Sequence, residues 1–249
     1  MIITTAAEMD AMREIGHIVA ITLRKMGEQV KPGITTKELD EYGRQIMESY
    51  GAKSAPIFCY EFPGHTCISV NEVVAHGIPS DRIIQAGDTV NIDVSAIKDG
   101  FFSDTATTFV VPPVKHSTEK LLACCKSTLD KAIAAACDGF PLSGIGLIVE
   151  KEAHKQGYNT IRNLCGHGVG RSLHDDPESI YNYHEKRDKR LLKSGMVLAI
   201  EPFISEGDDY VLEENDGWTL KTPHNHNVAQ FEHTVVVTDG DPIILTVEN

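Results

Sequence analysis

An alternating run, Thr89-Val90-Asn91-Ile92-Asp93-Val94-Ser95-Ala96-Ile97, leads into Asp99-Gly100, and Phe102 to Val111 follows as a return segment. Apolar and polar residues in alternation mark a half-buried strand. Asp-Gly between two such runs is the chemistry of a two-residue hairpin turn, whose central residues need positive φ. A two-residue loop sets the register: Lys98 faces Phe101, Asp93 opposes Ala106 and Asp104 opposes Ser95. Asp93 and Asp104 are then diagonal neighbours on one face, about 7–8 Å apart between backbones. A slip of one residue would send them to opposite faces. Two carboxylates inside apolar strands are costly unless they are paired or bound to a cation.

Around this hairpin the chain states one pattern twice, loosely. Thr5-Ala6-Ala7-Glu8 and Thr35-Thr36-Lys37-Glu38 are capping boxes, which predict helices ending near Gly27 and Gly51. Strands are predicted over Thr66 to Val70 and along the hairpin. After Pro112-Pro113 a helix fits Thr118 to Cys137, and Pro141-Leu142-Ser143 opens another that stops near Gly157. Strand candidates follow at Ile161 to Cys165, Met196 to Pro202 and Gln230 to Thr238. Helices segregated from hairpin-linked strands indicate an α+β fold. Two such halves, about 5–111 and 114–249, sharing one sheet would place a site on the axis between them. We expect residues 1–249 to form one catalytic domain.

The bulk properties narrow the function. A chain of 249 residues can bury a sizeable core without staples. A formal net charge of -13 repels phosphate backbones, so stable nucleic-acid binding is not expected. Six cysteines without a CxxC pair read as reduced thiols. The N-terminal residues have no signal-peptide pattern and no apolar run could span a bilayer, so we expect a cytoplasmic protein with no membrane partner.

Five acidic or imidazole residues stand at strand positions where a charge needs a reason. Asp93 and Asp104 lie on the hairpin. Glu201 ends the apolar run Met196 to Ile200, Glu232 precedes Thr234-Val235-Val236-Val237, and His167 is framed by Gly166 and Gly168. The two halves mirror each other here: Ala75-His76-Gly77 resembles Gly166-His167-Gly168, and Asn91-Ile92-Asp93 resembles Ala199-Ile200-Glu201. Four carboxylates and one imidazole suit a pair of divalent metal ions. Mn(II), Fe(II) and Co(II) fit this donor set, and the sequence does not choose among these, Zn(II) or Ni(II).

Together, Cys67-Ile68-Ser69-Val70-Asn71, His76-Gly77-Ile78-Pro79, Asn91-Ile92-Asp93-Val94, Asp104-Thr105, Gly166-His167-Gly168-Val169-Gly170, Ile200-Glu201-Pro202 and Glu232-His233-Thr234 resemble the motifs of the type I methionine aminopeptidases. The resemblance covers nearly the whole chain. It implies the "pita-bread" fold, a pseudo-two-fold repeat of helices over a curved antiparallel sheet, and removal of N-terminal methionine when the second residue is small. It also implies roles. Asp93 would chelate one ion, Asp104 and Glu232 would bridge two, and His167 and Glu201 would complete the other site. Glu201 would carry a proton to the leaving amine, and His76 and His174 would contact the scissile peptide. Phe62, Cys67, His76 and Trp218 would wall the methionine pocket. Some members have Tyr where this chain has Phe62 and Phe where it has Leu173. Glu61-Phe62-Pro63-Gly64 marks a subgroup.

Too few residues separate His167 from Glu201 for the helical insertion of type II enzymes, and the short N-terminal segment points to the bacterial form. Substrates would be N-terminal Met peptides and nascent polypeptides, with transient contact at the ribosome, and the protein would act as a monomer. Two rivals stand beside this reading: an Xaa-Pro peptidase of the same fold, and a peptide-binding homologue without catalysis.

Overall fold

The computed structural model describes residues 1–248. The first half runs α1 (Ala6–Gly27), α2 (Thr36–Ser49), β1 (Lys53–Ser54), α3 (Ala55–Tyr60), β2 (Cys67–Val70), β3 (Val73–Ala75), β4 (Thr89–Lys98) and β5 (Phe101–Val110). The second runs α4 (His116–Ala134), α5 (Leu142–Lys155), β6 (Asn159–Thr160), β7 (Cys165–Gly168), β8 (Asp175–Tyr181), β9 (Val197–Ile200) and β10 (Phe203–Ser205). It continues with β11 (Leu212–Glu213), β12 (Leu220–Lys221), β13 (Val228–Gln230), β14 (His233–Val236) and β15 (Ile243–Ile244).

Local signals place most of these elements. Both capping boxes form: the Glu8 N–H donates to Thr5 Oγ1 at 3.2 Å, and the Glu38 N–H to Thr35 Oγ1 at 3.1 Å. The β4–β5 hairpin has the expected register, with Lys98 opposite Phe101, Asp93 opposite Ala106 and Ser95 opposite Asp104. Asp99 and Gly100 take φ of 50° and 80°, as a tight hairpin of this hand requires. Along β4, Val90, Ile92, Val94 and Ala96 are buried in a core with Met12, Ile15 and Val19 of α1. Alternation turns Asn91, Asp93 and Ser95 to the other face. In the second half, Leu198 and Ile200 of β9 and Val235 of β14 pack with Leu129 and Ile133 of α4 and Val149 of α5. The helices back the sheets and leave the opposite faces to the site.

The two halves do not share one continuous sheet, and here the sequence expectation is corrected. β1, β4, β2 and β5 form one sheet, and β15-β14-β9-β7-β8 another, with the three-stranded sheets β13-β10-β6 and β11-β12-β3 beside them. Between β5 and residues 230–234 the backbones meet at the Thr107–Phe231 bridge and at the Glu232 N–H, which donates to the Ala106 carbonyl at 2.9 Å. Hydroxyls complete the seam. Thr105 Oγ1 donates to the Glu232 carbonyl at 2.8 Å, Thr108 Oγ1 to the Gln230 carbonyl at 2.9 Å, and Thr234 Oγ1 to the Asp104 carbonyl at 2.8 Å.

Three strand expectations also change. Ile161 to Cys165 is not a strand: β6 ends before it and β7 begins at its last residue. The Arg162 N–H turns away to the Asp209 carbonyl, and Asn163 pairs its side chain with both backbone groups of Val211. Met196 to Pro202 and Gln230 to Thr238 are each interrupted, at Glu201-Pro202 and at Phe231-Glu232. Pro202 has no N–H for a ladder. The β9–β14 ladder ends at the Ile200–His233 pair, and Glu201 and Glu232 stand just beyond it.

Among the described residues no helix is long and apolar enough to cross a membrane.

Ile92 is fully buried on the helix-backed face. Ile92→Ala is expected to lower the unfolding free energy by about 2–5 kcal/mol. Urea unfolding measures this, and a loss below about 0.5 kcal/mol would show that α1 does not seal this face.

Candidate metal centre

β7 delivers the one imidazole. Gly166 and Gly168 let it pass between its neighbours: a Cβ at Gly166 would lie 2.3 Å from the Ala199 carbonyl oxygen, and one at Gly168 2.3 Å from that of Asp176. His167 Nδ1 lies 2.9 Å from the Gly168 carbonyl. A carbonyl only accepts, so Nδ1 carries the proton and Nε2 presents a lone pair. Nε2 lies 3.5 Å from Glu201 Oε1 and 3.9 Å from Asp104 Oδ2.

The carboxylates converge from two strands and two strand breaks. Asp104, His167 and Glu232 place donor atoms within 4.8 Å of one another. Asp93 and Asp104 stand close enough for each to shift the other's carboxyl, and Gln230 Nε2 donates to Glu201 Oε2 at 2.9 Å. All five residues named from the sequence thus come to one place. Glu232 is the deepest, lying behind the residues that line the cavity.

Burial dominates the electrostatics. It pushes Asp104, Glu201 and Glu232 well above the usual carboxylate range, and the neighbouring carboxylates add to the shift. Burial raises Asp93 to about 6 and lowers His167 to about 3. Four carboxylates so placed cannot all ionise without a counter-charge. Asp104 Oδ1 and both carboxylate oxygens of Glu232 are buried with no hydrogen-bond partner. Orphaned oxygens beside an unprotonated imidazole nitrogen are the donor set of a divalent cation, and the residues present fit one.

Beside the cluster opens a cavity of about 480 Å³. Tyr60, Phe62, Cys67, His76, Leu173, His174, Phe203 and Trp218 line it with Asp93, Asp104, His167 and Glu201. Phe62 meets Trp218 edge to face at 5.2 Å. Cys67 stands opposite Asp93 in the β2–β4 register, which puts both on one face. Burial pushes its thiol well up, so it packs as a neutral wall. The His174 ring centre lies 4.3 Å from that of His167, and the Tyr60 hydroxyl is hydrogen-bonded to His174 Nδ1. His76 holds a positive φ of 54° before Gly77, where a Cβ would lie 2.3 Å from the Ile68 carbonyl oxygen. Burial lowers the pKa of both His76 and His174, which favours neutral rings.

Sequence reasoning missed Tyr60, Gln230 and Phe203. Tyr60 ends the six-residue α3, too short to show a period. Gln230 stands two residues before Glu232 in a run read simply as strand.

Glu232→Gln should stabilise the metal-free protein at pH 7.5. The folded-state pKa of Glu232 is raised, so its ionised form destabilises the fold above the normal carboxylate range, and the amide removes that charge. Thermal melts in chelator should rise by roughly 2–4 °C for each kcal/mol regained, while the upward shift given by added Mn(II) should shrink. A lower melting temperature in chelator would contradict the repulsion account.

Residues 10–239 match metallopeptidase family M24. Methionine aminopeptidase 2 of Bacillus subtilis is 47% identical over 247 residues, covering 99% of each chain. The crystal structure of a methionine aminopeptidase from Thermotoga maritima superposes with a TM-score of 0.96 at 36% identity, over all of both chains. The prolidase of Pyrococcus furiosus has a TM-score of 0.80 at 24% identity; all of this chain covers 66% of that one, a likeness of fold alone. With the match running through all five converging residues, this chain belongs to metallopeptidase family M24.

Proposed function

We propose that this chain is a methionine aminopeptidase, removing the N-terminal methionine of peptides and nascent polypeptides whose second residue is small. The observation that carries the reading is one cavity that joins the carboxylate–imidazole cluster to an aromatic-walled pocket. An unbranched thioether packs well against aromatic rings, and Phe62 with Trp218 offers two. The full-length relatedness to enzymes named for this activity supports it.

Asp93, Asp104, His167, Glu201 and Glu232 would hold two divalent ions. When bound, such a pair supplies a water of pKa about 7 and a Lewis acid toward the scissile carbonyl. The remaining work falls to the chain. Phe62, Cys67, His76 and Trp218 bind the methionine side chain and place its peptide bond at the cluster. Glu201 takes a proton from the attacking water and returns it to the leaving amine. Gln230 holds one oxygen of that carboxylate, leaving the other on the cluster side. Tyr60 occupies His174 Nδ1, so Nε2 is the nitrogen available to the substrate, where His174 and His76 steady the carbonyl as it gains charge. Both halves contribute ligands, so the chain works as a single catalytic unit.

The test is release of methionine from Met-Gly-Met-Met against cleavage of an Xaa-Pro peptide. Metal-stripped protein would receive Mn(II), Fe(II), Co(II), Ni(II) or Zn(II) in turn. Metal-dependent methionine release without Xaa-Pro cleavage is expected. Xaa-Pro cleavage alone would overturn the substrate, and inactivity on both peptides with every ion would overturn catalysis.

His174→Ala should lower kcat by about 10²–10³-fold, with metal content unchanged by elemental counting. Loss of metal in that variant would make His174 a ligand instead.

A further inference from the structure

Away from the cleft, a second group of ligating side chains meets at the base of a hairpin. Asp208 follows β10, and His224 and His226 precede β13. Between them rise β11 and β12, with Trp218 just before β12. Asp208 Oδ1 lies 2.5 Å from His224 Nδ1, and Oδ2 lies 2.8 Å from His226 Nδ1. The three donor atoms lie within 4.8 Å of one another.

Several features distinguish this group from a chance surface pair. The Asp208 side chain is only 4% exposed, whereas the rings of His224 and His226 are 69% and 43% exposed. Among the described residues no lysine or arginine pairs with Asp208, and its cation partners are these two imidazoles alone. A buried carboxylate needs a counter-charge, which a divalent cation held by all three side chains would supply. The His226 ring lies flat over Gly207, where a Cβ would come within 2.5 Å of its Cε1. Thr222 Oγ1 donates to the His226 carbonyl at 3.0 Å, and the His224 N–H donates to Asp208 Oδ2 at 3.3 Å. Backbone contacts thus hold both histidines at the carboxylate.

We propose that Asp208, His224 and His226 form a further metal site, taking one borderline divalent cation such as Zn(II). Two imidazole nitrogens and one carboxylate oxygen are a zinc-type set, with bonds of about 2.0–2.2 Å. Ligand atoms around such a tetrahedral ion stand about 3.3–3.6 Å apart, so an opening of under about 1 Å in the present arrangement admits it. The exposed rings give access from solvent, and water fills the remaining position. The donor set is richer in nitrogen than the cleft cluster, so the two sites sort ions differently. The ion would tie the segments entering and leaving the hairpin that carries Trp218. The site stands independently of the activity proposed above.

Equilibrium dialysis against Zn(II) at low micromolar free concentration, followed by elemental counting, tests this. The natural protein should hold one zinc per chain more than His224→Ala/His226→Ala. His224→Ala alone removes a largely exposed ring, leaves the fold intact by circular dichroism and Trp218 emission, and should weaken the extra ion at least tenfold. Equal counts in the natural protein and the folded double variant would overturn the site. So would zinc that is lost only on Asp104→Ala, which would place all of it in the cleft and leave Asp208 as a hydrogen-bonded latch.

Discussion

Buried like charge is the constraint on which the rest of this structure depends. Asp93, Asp104, Glu201 and Glu232 stand together where water solvates them poorly, and burial drives each toward its neutral form. No packing of apolar residues makes such a cluster favourable by itself. The surrounding architecture holds it in place: helix-backed strands supply rigidity from outside, glycines on both sides of His167 bring β7 against β8 and β9, and Gln230 restrains Glu201. The unpartnered oxygens of Asp104 and Glu232 record a preorganised arrangement whose electrostatic reward lies in a cation.

The parts legible in the sequence were those that depend on local chemistry. Capping boxes at Thr5 and Thr35 opened helices because each satisfies free N–H groups within one turn. The Asp99-Gly100 turn determined the pairing of Asp93 and Asp104 without any knowledge of the other half, since two residues of positive φ leave one register. Glu201 and Glu232 were visible as charges at the ends of apolar runs. The parts that stayed hidden depend on distant partners. Ile161 to Cys165 looks like a strand by composition, yet Arg162 and Asn163 bond to residues 209 and 211, a competition invisible in a local window. The threonine hydroxyls of the seam were unreadable for the same reason: Thr105, Thr108 and Thr234 look like ordinary strand residues until their partners across the halves are known.

The pocket shows the same division. Cys67 reaches it through strand register, a consequence of pairing with β4. Phe62 and Trp218 arrive from opposite ends of the chain and were named through family likeness; their edge-to-face contact is tertiary. β12, which follows Trp218, pairs with β3, which precedes His76, so two walls of the pocket flank a three-stranded sheet separate from the sheet that carries Asp93 and Asp104.

The hydroxyl seam between β5 and residues 230–234 bears on the order of events in making this protein. Asp104 and Glu232 sit on its two sides, so they come together only once the two halves have docked, and the larger core itself joins both, with Val169, Val197 and Val236 in one cluster with Ile15 and Ile92. An ion held between Asp104 and Glu232 would tie the two sides of that seam to each other. A chain translated from its N-terminus carries the first half, complete with its hairpin, well before Glu232 is made, and that half cannot assemble the full ligand set alone. The cluster is therefore a long-range feature of the chain, complete only when both halves are present and joined.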